Sequence, residues 1–139
     1  MSYCAAQDLI DRYGEEELIQ LTDRMGEGTY DAEVVAQAIA DSDADIDAYL
    51  AARYTTPLSP IPSILVRIGC DLARYYLWKD QASDAVRMRY EDARRLLERI
   101  ATGAVGVGPA ATAPDAAGRE VLFAAGSHVW TRDENGGLE

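Results

Sequence analysis

Apolar residues recur at helical spacing through most of the chain, and the breaks between the periodic stretches are marked by glycine and proline. "AAQDLIDRY", residues 5–13, is a short helical segment stopped at Gly14, where a left-handed conformation can close a helix. "EEELIQLT" follows, with acids in its first turn, where they favour the helix dipole. The turn "DRMGEGTY" leads to Asp31, which has the chemistry of an N-cap. From there to Arg53, Val35, Ile39, Ile46, Tyr49 and Leu50 keep a helical period. "YTTPLSPIP" cannot continue a helix, and Pro62 suits the first position of the next one.

That next helix runs to about Lys79 with the stripe Ile61, Ile64, Leu65, Ile68, Leu72, Tyr75 and Tyr76. Its first three turns carry so little charge that the pattern predicts a central helix, buried on more than one side. Ser83 caps a last helix to Thr102, ended by Gly103. Val86, Tyr90, Ala93, Leu97 and Ile100 line its inner face, and its outer face alternates arginines with acids. Tyr75, Tyr76 and Tyr90 are spaced as core or interface residues.

From Ala104 the texture changes. "AVGVGPAATAPDAAG" is rich in Gly, Ala and Pro without a helical period, which is linker chemistry. "EVLFAAGSHVWTRD" resembles two short strands around "AAGS", a hairpin that buries little alone and needs something to dock on. The expected class is therefore all-α: a compact helical bundle of four to five helices over 1–103, a linker over 104–118, and an extended tail or short β-hairpin over 119–139. The final "ENGGLE" is expected to be disordered.

Length and composition fit this picture. The 139 residues make one domain with one core, 48% hydrophobic and 27% charged. No apolar run approaches the ~18 residues that span a bilayer, and the N-terminal sequence has no signal-peptide pattern. Cys4 and Cys70 are then expected to be reduced thiols.

Charge sharpens the picture. The net charge is −11, but residues 1–60 carry Arg12, Arg24 and Arg53 against thirteen acids, −10, whereas residues 61–102 total +2. So acidic a chain lacks the clustered cations that grip duplex phosphates. An acidic first half and a mildly basic helical block suit head-to-tail association of identical copies. Asp41, Asp43, Asp45 and Asp47 would fan around the outer surface of their helix as a solvated acidic face, opposite the neighbour's Arg87, Arg94 or Arg95. The tail hairpin, around Val121, Phe123, Val129 and Trp130, would add a strand to a partner.

No catalytic constellation emerges. His128 is the single histidine, and Cys70 lies on the helix expected to be buried, where a thiol is inert. "GAVGVG" lacks the Gly-Lys-Ser/Thr ending of a phosphate loop, and CxxC, HExxH and GxSxG are absent. No cofactor is expected. The acidic turn from Asp23 comes near an EF-hand, with Glu27 and Asp31 as further ligand candidates. Calcium takes about 6–8 oxygens, and the loop's third and twelfth positions fall on Met25 and Val34, which supply none. The turn therefore reads as a connection between helices, with no metal held. A small regulatory, calcium-responsive module using residues 23–34 is the alternative function class.

Taken together, "DLIDRYGEEELIQLTD", "DAEVVAQAIADSDADIDAYLAARYTTPL", "LVRIGCDLARYYLW" and "VRMRYEDARRLLERIATG" resemble the bacteriophage Mu-like small virion protein family of phages and prophages. The resemblance covers about residues 3–105 and is weaker beyond. In size and helix order it is similar to head–tail connector, or adaptor, proteins of long-tailed phages. It implies a helical bundle, a head-completion role and a ring of about a dozen copies at the head–tail junction. The implied partners are the portal protein, a tail-completion or tail-terminator protein, and other copies of the chain. The genome would pass through without sequence-specific contact, and no membrane is implied. The protein would be in the host cytoplasm before assembly. The family has no catalytic residues to carry over, and its turn often looks more like a calcium loop than this one, with Met25 and Val34 as the departures.

Overall fold

A computed structural model describes residues 2–56 and 58–107. Among them are five α-helices and no strand: α1 (Ala6–Tyr13), α2 (Glu15–Thr22), α3 (Ala32–Leu50), α4 (Ser63–Trp78) and α5 (Asp84–Thr102). A 3-10 turn, Lys79–Gln81, joins the last two. The fold is all-α. The hairpin expected around Val121, Phe123, Val129 and Trp130 lies outside the described residues, as does His128.

Local chemistry explains the boundaries. Gly14, at φ 93°, ends α1 by donating its N–H to the Ile10 carbonyl at 2.8 Å and also begins α2. The Asp31 carboxylate accepts the N–H groups of Glu33 and Val34, starting α3. Pro62 is the residue before α4 rather than its first position, and Ser63 opens the helix. Ser83 accepts the Val86 N–H at the start of α5. Gly103, at φ 88°, closes α5 in the left-handed conformation. The helix expected to reach Arg53 stops at Leu50; a tight turn follows, in which Tyr54 donates back to the Leu50 carbonyl and is itself buried.

The core is built around α4, which packs against each of the other four helices. On one side Leu65, Ile68 and Leu72 join Ile46 and Leu50 of α3 and Ala93, Leu97 and Ile100 of α5. On the other, Cys70, Ala73 and Leu77 join Leu9 of α1, Leu18 of α2 and Val35, Ala38 and Ile39 of α3. The central, multiply buried helix read from its scarcity of charge is thus α4. Packing continues past the end of α5: Val105 is half-buried against the first cluster and Val107 is buried in it.

Candidate functional site

The described residues hold exposed charged surfaces and several small cavities, and the predicted site residues among them are distributed over α3, α5 and the turn between α2 and α3. The acidic turn connects α2 to α3. Thr22 Oγ1 donates to the Leu18 carbonyl at 2.7 Å and accepts the Asp31 N–H at 2.8 Å. The Asp23 carboxylate accepts the N–H groups of Glu27 at 2.9 Å and Gly28 at 2.8 Å. Those two bonds hold its carboxyl below the usual value, because they favour the charged form. Asp31 is occupied with capping α3, and Glu27 is exposed. Asp23 and Asp31 thus fold the turn through backbone hydrogen bonds, and among the described residues no group of acids, histidines and cysteines is close enough to hold a metal ion.

The four aspartates of α3 do not form the solvated face expected of them. Asp41 is exposed and accepts from Gln37 at 3.0 Å. The other three are half-buried and bonded within the chain. Asp43 accepts the Tyr3 N–H at 2.9 Å, and Asp47 accepts the Tyr3 hydroxyl at 2.5 Å. Asp45 accepts the Tyr76 hydroxyl of α4. The reason is tertiary: the segment before α1 brings Tyr3 to Asp43 and Asp47, and α4 brings Tyr76 to Asp45. Burial first, and the bonded aspartate second, push the hydroxyls of Tyr3 and Tyr76 far above their ordinary value.

The arginines of α5 are more available. Arg87 pairs with Asp84 at 3.4 Å, and Arg95 with Asp92 at 2.9 Å and Glu91 at 3.7 Å, all exposed. Such exposed pairs contribute little to stability. Arg94 donates to the Tyr49 hydroxyl at 3.1 Å and lies over the Tyr90 ring. Tyr90 stacks on Tyr75 with centroids 3.9 Å apart. A cavity of about 220 Å³ is lined by Asp45, Tyr49, Leu72, Tyr76, Tyr90, Arg94 and Leu97, so Asp45 and Arg94 face one space within a single chain. Met88, 62% exposed, is the apolar residue of this outer surface.

One cluster was missed by sequence reasoning. Asp71, in the middle of α4 and only 7% exposed, accepts the Tyr13 hydroxyl at 2.5 Å and lies 3.7 Å from Arg89. Beside it Arg74 makes a bidentate pair with Glu17 at 2.7 and 2.9 Å and stacks over the Tyr13 ring at 4.2 Å. Arg12, Tyr13, Arg74 and Arg89 line an open cleft of about 410 Å³. The signal was available: an aspartate inside the apolar run "SILVRIGCDLARYYLW" has to find partners on other helices.

Comparison with known proteins fits this bundle. The family described as Bacteriophage Mu, Gp36 matches residues 3–124. The chain belongs to that family. It is 39% identical to the Mu-like prophage FluMu protein gp36 of Haemophilus influenzae over 106 residues, 76% of this chain and 75% of that protein. It is also 39% identical to Gene product J of Escherichia phage Mu over 104 residues, 74% of each chain. The Gp36 match extends beyond α5 into the segment that follows the helical bundle.

Proposed function

We propose that this member of the phage Mu Gp36 family is a non-enzymatic structural protein of the virion, a head-completion adaptor that assembles as a ring between portal and tail. The family match over residues 3–124 carries the reading. The distribution of charge supports it: Arg87, Arg95 and Met88 are exposed on α5, and Asp41 is exposed on α3. A ring closed by rotation joins two different patches of neighbouring copies, and opposite charges would set their register. Because Asp43, Asp45 and Asp47 are half-buried and bonded to tyrosines, Asp41, exposed and bonded to Gln37 of its own helix, is the carboxylate of that set open to Arg87 or Arg95 of the next copy. The calcium-responsive alternative loses support because Asp23 and Asp31 are engaged with backbone N–H groups.

The test is removal of the gene from the phage or prophage that carries it, followed by electron microscopy of the lysate. Filled heads and free tails, rejoined when the protein is supplied from a plasmid, are the expected outcome. Infectious particles at normal yield without the protein would overturn the adaptor role. Micromolar calcium affinity in a calorimetric titration would instead return the acidic turn to the centre of the function.

A further inference from the structure

We propose that Cys4 and Cys70 are a disulfide-forming pair, an oxidation site that ties the segment before α1 to the middle of α4. Both are free thiols, buried, and packed in the same core cluster. Cys70 follows Gly69, and the N-terminal segment lies against α4 at that point: a Cβ on Gly69 would stand 3.4 Å from Cys4 Sγ and 3.6 Å from Cys4 Cβ. Cys4 is held protonated first by the sulfur of Cys70 and then by burial. The Cys70 thiol is lowered, first by Cys4 and also by the Arg12 guanidinium.

The segment that carries Cys4 can open. It lies outside the helices and is held by Tyr3 bonds to Asp43 and Asp47 and by the Ala5 N–H bond to Asp8. When it lifts, the Cys4 thiolate attacks a small-molecule disulfide, forming a mixed disulfide and releasing one thiolate. After the segment re-docks, the Cys70 thiolate attacks the Cys4 sulfur, and the second small thiolate leaves. The two protein sulfurs are oxidised, the reagent's two sulfurs are reduced, and the two protein protons pass to the departing thiolates. The bridge closes a loop that contains α1, α2 and α3, the kind of long loop whose closure most restricts the unfolded chain. Bacterial cytoplasm keeps such a pair reduced, and the surroundings of a released particle do not. That timing, a lock set after assembly, rests on the virion reading above; the thiol chemistry does not.

The test uses the purified full-length chain incubated with oxidised glutathione or with a reductant. The expected result is a monomer lighter by two hydrogens, loss of both thiols to a thiol reagent in denaturant, a Cys4–Cys70 peptide, and a Tm higher by roughly 10 °C. Cys4→Ala and Cys70→Ala should each keep the helical circular dichroism and show no such rise. Two thiols persisting after prolonged oxidation, disulfide-linked dimers, or a closed bridge with unchanged Tm would each overturn the proposal. Thiol counts on particles before and after release test the timing separately, so its failure is distinguishable from failure of the pair.

Discussion

Single residues in this bundle are decided by what reaches them from other elements, and two glycines make the contrast testable. Gly69 lies inside α4, where a Cβ would meet Cys4 Sγ and Ser42 Oγ at 3.4 and 3.5 Å, ordinary contact distances. Gly69→Ala should therefore be neutral or stabilise by up to about 1 kcal/mol through helix propensity. Gly103 is left-handed, and a Cβ there would stand 2.7 Å from Arg53 Cζ. Gly103→Ala should cost roughly 1–2 kcal/mol, since alanine resists that conformation and the guanidinium must leave the end of α5. Urea titrations of the two variants check both signs.

The tyrosine–aspartate bonds give a second prediction at this scale. Burial first, then the bonded carboxylate, hold Tyr3, Tyr13 and Tyr76 protonated well above the ordinary tyrosine value of 10.0. Unfolded tyrosines lose their protons around that pH while the folded ones keep theirs. Stability is then full below about pH 10 and falls as pH rises beyond it. The urea midpoint should stay level up to about pH 10 and drop as the pH rises beyond it, with tyrosinate absorbance appearing together with loss of helicity. Tyr13→Phe should flatten that slope while costing about 1–3 kcal/mol at neutral pH, because buried Asp71 loses its hydroxyl donor. These residues also show where sequence was silent. The α3 aspartates looked solvated because helical spacing reports only neighbours on the same helix. Their actual donors, Tyr3 and Tyr76, come from 31 to 44 positions away.

At the scale of elements, periodicity and punctuation carried most of the information. Gly14, Asp31, Ser83 and Gly103 each act at the boundary where their chemistry placed them. The scarcity of charge in α4 identified the centre of the bundle because a helix covered on several sides has no face to give to water. What spacing could not reveal was Asp71, an acid whose partners lie on α1 and α5. Nor could it place the end of the packed region, since Val105 and Val107 have no helical period yet join the core. Leu72 is fully buried where α4 meets α3 and α5. Leu72→Ala should cost about 2–5 kcal/mol, and a loss below ~1 kcal/mol in a denaturant titration would show that the core is centred elsewhere.

For the whole molecule, the place to divide it follows from packing. A cut after Gly103 would remove Val105 and Val107 from the core, so loss of function would be confounded with loss of stability. A chain ending at Val107 keeps every buried residue described above. On the adaptor reading the helical bundle forms the ring, and the segment beyond it engages the portal or the next copy; the Gp36 match runs past Val107 to residue 124. Deleting residues 108–139 should accordingly leave the helical circular dichroism unchanged and the Tm within a few degrees of the full chain. In phage that lack the gene, the truncated protein should fail to restore joined particles, leaving filled heads beside free tails. Arg95→Glu in the full chain separates the two contacts. It should weaken self-association in a salt-dependent way, since exposed charges more than about 10 Å apart are screened at ordinary ionic strength. Combining Arg95→Glu with Asp41→Lys should restore association if those patches meet. Normal yields of infectious particles with the truncated protein would exclude residues 108–139 as the docking segment, and salt-independent association of Arg95→Glu would exclude the charged patches as the ring contact.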